Sequence, residues 1–142
     1  MFEFHGWAVI RTPEEDDSGI ASIGRGPEFE ATKKVRAAIN DVHDEFSFFD
    51  VQRTGNGQTV LIAHGLRNHE YSPAVELFRW VAKELPESYG LLYIHDDEAA
   101  GRGNEFRVWR LARGEFQEMD DPFLSPYIPT VEAPWPGGGS LT

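Results

Sequence analysis

No cysteine occurs in this 142-residue chain. Its absence excludes a disulfide framework, a thiolate zinc site and a cysteine nucleophile. Cations are scarce: 13 Lys and Arg stand against 24 Asp and Glu, a net charge of −11. Nucleic acid and anionic membrane recruit proteins through basic patches, so neither is an expected partner. No apolar run reaches the ~18 residues of a membrane-spanning helix. The opening Met1-Phe2-Glu3-Phe4-His5 lacks the basic and apolar regions of a signal peptide. The expected location is therefore the cytoplasm. The acidic balance suits a basic protein partner, whose approach it would steer, and it equally suits plain solubility.

Signatures of catalysis are missing as well. The serines lack a G-x-S-x-G elbow. His5, His43, His64, His69 and His95 never fall at H-E-x-x-H spacing. Asp96-Asp97-Glu98 gathers oxygen ligands but lacks the spaced ligands and glycine of an EF-hand loop. Gly24-Arg25-Gly26 and Gly101-Arg102-Gly103 continue into neither phosphate-binding pattern. Nothing assembles nucleophile, base and orienter. No catalytic, cofactor or metal site is expected.

What is present is the material of one packed domain: 40% hydrophobic and 13% aromatic residues. Residues 2–11 alternate as a strand, with Phe2, Phe4, Gly6, Ala8 and Ile10 on one face and Glu3, His5, Trp7, Val9 and Arg11 on the other. An acidic loop over 12–26 follows, and Pro27 opens a helix with the stripe Val35, Ala38, Ile39 and Val42. Asp41, Asp44 and Glu45 crowd the end of that helix, where its dipole favours cations. A hairpin is expected from 46–53 and 58–64 around Gly55-Asn56-Gly57. Ser72 as N-cap and Pro73 open a second helix striped by Ala74, Leu77, Phe78, Val81, Ala82 and Leu85, and Pro86 stops it. Trp80 falls off the stripe, which makes it a candidate exposed anchor.

Residues 91–95 read as a buried strand, apolar on both faces, that ends in the acidic tip Asp96-Asp97-Glu98. The chain returns as a strand over 104–111, turns at Ala112-Arg113-Gly114-Glu115 into a short strand over 116–119, and continues as a proline-rich strap. Phe123, Leu124, Tyr127, Ile128 and Val131 of the strap are expected to lie on the body. The order βαββαβ predicts an α+β, ferredoxin-like fold, helices on one face, extended by one or two C-terminal strands. The domain is placed at 1–132 and a flexible Pro/Gly-rich tail at 133–142.

Met1-Phe2-Glu3-Phe4-His5-Gly6-Trp7, Ser88 to Glu98, Asn104-Glu105-Phe106, Leu111-Ala112-Arg113-Gly114 and Asp121-Pro122-Phe123-Leu124-Ser125-Pro126, in this order, resemble the immunity protein 7 family of bacterial polymorphic toxin systems. The resemblance implies an α+β protein, encoded beside a secreted toxin, that binds and neutralises it in the producing cell. It implies no catalytic residues. An acidic member suits a basic toxin, such as a nuclease. The alternative from another class is a ferredoxin-like small-molecule sensor. In the expected topology Asp41, Asp44, Glu45, Glu70, Asp96, Asp97, Glu98 and Glu105 gather at one end of the sheet, joined by Asp120 and Asp121 if the last strand descends. Those eight carboxylates, with Trp80, are the expected toxin-binding residues.

Overall fold

The computed structural model describes residues 1–13 and 27–136. Residues 14–26 of the expected acidic loop and the Gly-rich end, 137–142, lie outside them. In chain order the elements are β1 (Phe2–Ile10), α1 (Pro27–Val42), β2 (Ser47–Arg53), β3 (Thr59–Arg67), α2 (Ser72–Glu84), β4 (Tyr89–Asp96), β5 (Phe106–Ala112), β6 (Glu115–Asp120) and the short α3 (Tyr127–Thr130).

The strands form one antiparallel open sheet in the order β2-β3-β1-β4-β5-β6. The expected α+β class is found. The ferredoxin-like description is not established. The six strands fit the expected C-terminal extension, but the helices do not all share a face. Residues of α1 and α2 (Val35, Ile39, Leu77, Phe78, Val81) pack with Phe4, Ile10, Leu61, Leu92 and Leu111 in one buried core. Tyr127 of α3 instead stacks on His95, 4.0 Å between ring centres. His95 is an odd-numbered neighbour of the core residues Leu92 and Ile94, so it points to the opposite face.

The core follows from alternation. Phe2, Phe4, Ala8 and Ile10 are buried beneath the helices, while His5 and Trp7 are exposed on the other face. Antiparallel sheets accept this one-sided burial. Phe4 sits at the centre, stacked with Phe49 at 5.8 Å and Tyr71 at 6.0 Å. At the β5–β6 hairpin Arg113 and Gly114 both take positive φ, 53° and 78°, as a two-residue turn between twisted strands requires.

Several local expectations are corrected. Helix α2 begins at Ser72, with Tyr71 in the cap position and no side-chain cap bond. Strand β3 runs three residues past the expected His64, to Arg67. Trp80 is half-buried and packs against the core, because the sheet reaches past the α2 stripe to β5 and β6. The second face of β4 is not buried under another layer; the strap covers only its C-terminal end, where His95 is 2% exposed.

The strap is held by polar clamps more than by apolar contact. Phe123, Leu124 and Val131 remain exposed, while Tyr127 and Ile128 are half-buried. The Asn104 side chain accepts from the Ile128 amide (2.8 Å) and donates to the Ile128 carbonyl (3.2 Å), and the Asn104 carbonyl accepts from the Tyr127 amide (2.8 Å). Asp121 accepts from the Phe123 and Leu124 amides and the Ser125 hydroxyl at 2.9–3.0 Å.

Candidate functional site

Strand register decides which loops meet. Phe2 pairs with Arg67 on one side and Asp96 on the other, Ser47 pairs with Gly65, and Arg107 pairs with Asp120. The start of β1, the end of α1, the β3–α2 loop, the β4–β5 tip and the end of β6 therefore share one end of the sheet. The expected single edge forms, and Asp120 and Asp121 join it.

The carboxylates on this edge are unequal. Asp44 is bound by Arg67 Nη1 at 2.7 and 2.9 Å and accepts from the Phe46 amide at 3.0 Å. Burial pushes its carboxyl up, but the bonds from Arg67 and Phe46 outweigh that and hold it below its ordinary value. The same guanidinium lies 3.8 Å over the Tyr71 ring and 5.5 Å from that of Phe46. Tyr71 donates its hydroxyl to the Val42 carbonyl, satisfying an orphan acceptor at the end of α1. Asp44 thus ties α1 to β3 and is not a spare charge. Arg67→Met is expected to cost about 2 kcal/mol, below the 3–5 of a broken buried pair because Asp44 is partly exposed. Chemical denaturation checks it; a loss under about 0.5 kcal/mol removes Arg67 as a structural tie.

At the tip, Asp96 accepts the Glu98 amide at 3.0 Å. Asp97 lies 2.7 Å from the Met1 amino group, and Glu98 lies 2.9 Å from the His69 ring and 3.4 Å from that amino group. The Met1 amino group holds the Asp97 carboxyl below its ordinary value, and His69 first, then Met1, does so for Glu98. On the far side Arg107 contacts Asp120, Glu118 (3.0 Å) and Glu105 (3.6 Å), and Arg102 contacts Glu118 at 2.7 Å. Asp121 is buried, its charge spent on the strap. Asp41, Glu45 and Glu70 are exposed, and no ion-pair or hydrogen-bond partner meets them among the described residues. Besides Asp121, the carboxylates of this edge without a cationic partner among the described residues are therefore Asp41 in the last turn of α1, Glu45 in the α1–β2 loop, Glu70 in the β3–α2 loop and, at the tip, Asp96, which accepts only a backbone amide.

Beside those loops lies a feature that sequence patterning did not single out. On the helix-free face, an open groove of about 910 Å³ runs between the α1–β2 loop and the strap. Its floor and walls include Glu3, His5, Glu45, Phe46, Phe48, His64, Leu66 and Tyr127. Phe46 is 57% exposed, Phe48 44% and Leu66 59%. His64 stacks between His5 (6.3 Å) and Phe48 (5.0 Å), and His5 Nε2 lies 2.7 Å from Glu3. The legible signal was the second face of β3, where Val60, Ile62 and Leu66 are apolar with no second layer to bury them.

No group of three or more His, Asp or Glu among the described residues is arranged to hold a metal ion, and no described helix is long and apolar enough to cross a membrane. The family model for immunity protein 7 matches residues 1–133. The chain belongs to the immunity protein 7 family. Neither a curated protein nor a solved structure matches it. This immunity protein 7 member is thereby placed among proteins that act against a toxin, a class whose partner is that toxin. Its family match spans every strand of the sheet and the strap as far as Ala133, so the acidic end and the groove both lie within the matched region.

Proposed function

We propose that this chain is a non-catalytic immunity protein that binds a cognate secreted toxin in the cytoplasm of the producing cell and occludes its active face. Family membership supports the class of partner. The observation that carries the mechanism is the collection of carboxylates from four separate loops at one end of the sheet, with Asp41, Glu45 and Glu70 left uncompensated among the described residues. Gathered like charges repel and cost stability, so a basic partner is the natural complement. A nuclease, whose active face must attract phosphate, fits that description. Asp96, Asp97, Glu98 and Glu105 add to the long-range field although each has a local partner. Trp80 is withdrawn as an anchor because it packs on the core. No observation on the described residues favours the small-molecule-sensor alternative.

Co-expression with the toxin domain encoded beside this chain is expected to restore growth and to yield a co-purifying complex. Neither rescue nor complex would sink the proposal. Electrostatic steering predicts a kinetic signature. The double reversal Asp41→Lys, Glu70→Lys is expected to slow association by about tenfold at low salt, with little change in dissociation, and to flatten the salt dependence. Stopped-flow rates are compared across roughly 50–300 mM salt, over which the Debye length falls about twofold. Rates that match the unaltered protein throughout would place the steering charge elsewhere.

A further inference from the structure

We infer that the groove on the open sheet face is the anchoring half of the toxin interface, and that its occupant is a protruding protein segment carrying an Arg or Lys beside an apolar side chain. This rests on the toxin-binding reading and adds the place and chemistry of the contact. Three observations converge on it. Phe46, Phe48 and Leu66 leave 44–59% of their surface open on a single concave patch, the kind of exposed apolar surface that marks protein interaction sites. Besides histidine, the charged side chains in the lining are the carboxylates of Glu3, Asp44 and Glu45, of which Asp44 is answered by Arg67 and Glu3 contacts His5, and no Lys or Arg side chain lines the groove. Glu45 has no partner among the described residues.

A second copy of this chain would bring a net charge of −11 against the same sign, and nucleic acid would do likewise, so charge complementarity selects a cationic protein segment. The aromatic lining favours the same occupant. The rings of Phe48, His64 and His5 lie roughly parallel across β2, β3 and β1, an aromatic lining against which the methylene stem of a long cationic side chain can pack. The groove also includes the free charge of Glu45 in the α1–β2 loop. Long-range attraction would deliver the partner there, and apolar burial in the groove would then set the dissociation rate.

The test uses the full chain and a catalytically inactivated form of the neighbouring toxin domain, with affinity measured by calorimetry and dissociation rates by stopped-flow displacement. Phe46→Ser together with Leu66→Ser is expected to weaken binding at least 100-fold, mostly in dissociation. Glu45→Lys is expected to weaken it about tenfold. Lys83→Glu and Glu115→Lys, at the opposite end of the molecule, are expected to leave it within threefold. Should unaltered protein fail to bind, the toxin-binding reading itself is lost. Should it bind while folded groove variants bind within threefold, the groove assignment is overturned and the function stands. A variant-free measurement covers the case of misfolding: amides of Phe46–Phe48 and His64–Leu66 should gain exchange protection in the complex. Unchanged exchange there overturns the assignment, as would a homodimer of the unaltered chain that buries this face.

Discussion

Gly90→Ala is expected to unfold this protein or to strip more than about 4 kcal/mol from its stability, the range reached by severe backbone clashes in a packed core. Gly90 is the second residue of β4 and pairs with Ala8 of β1. A Cβ placed there would stand 2.0 Å from the Trp7 carbonyl oxygen and 2.7 Å from the Ala8 Cα. Both are backbone atoms of the neighbouring central strand, so no side-chain rotation relieves the overlap. Either β1 and β4 separate or β4 bends, and each breaks the ladder at the middle of the sheet. Gly55→Ala is the matched control. Beyond its chain neighbours no heavy atom lies within 4 Å of the position its new methyl group would take, and it is expected to shift the midpoint of guanidinium unfolding negligibly. If Gly90→Ala unfolds at the same denaturant concentration as the unaltered chain, the β1–β4 approach is not as close as described.

Asp121→Ala should produce the second largest loss. Asp121 is 6% exposed and accepts the Phe123 and Leu124 amides and the Ser125 hydroxyl. Ser125 in turn accepts from the Phe106 amide at 2.9 Å, so the carboxylate ties the strap to the start of β5. Removing it strands several donors at once, at a cost of about 2–4 kcal/mol. The strap should loosen with it, read as faster proteolysis between residues 121 and 131.

The pH dependence has a definite sign. Burial raises the Asp121 carboxyl, but the bonds from Phe123, Leu124, Ser125 and the Tyr93 hydroxyl outweigh it and leave the folded-state pKa below its ordinary value. Unfolded, the group titrates near ~3.9. Its contribution is therefore fully present above about pH 4 and is lost as pH falls through the lowered folded-state value. The stability difference between the unaltered protein and Asp121→Asn should stay level from about pH 5 to 8 and shrink below about pH 4. A difference that grows on acidification would reverse the assignment.

Local pattern carried a large share of this structure. The alternation of Phe2, Phe4, Ala8 and Ile10 marked β1 and its core face, and the stripe from Ala74 to Ala82 marked α2. Gly55-Asn56-Gly57 and Arg113-Gly114 marked turns. These signals are legible because they repeat at the period of the element that bears them. The gathering of acidic loops at one end was legible too, since strand direction alternates along an antiparallel path.

Tertiary structure alone decided which of those charges are free. Asp44 is answered by Arg67, Asp97 by the Met1 amino group and Asp120 by Arg107, partners 13 to 96 residues away that no local spacing reveals. It also decided that Trp80 is packed, because the sheet extends beneath α2 as far as β6. The exposed face of β1–β3–β2 was the least legible feature. Apolar alternation tells which side chains share a face, but whether a second layer covers that face depends on where the helices and the strap go. Here α1 and α2 take one side, α3 guards a single corner of the other, and the aromatic groove is what remains open.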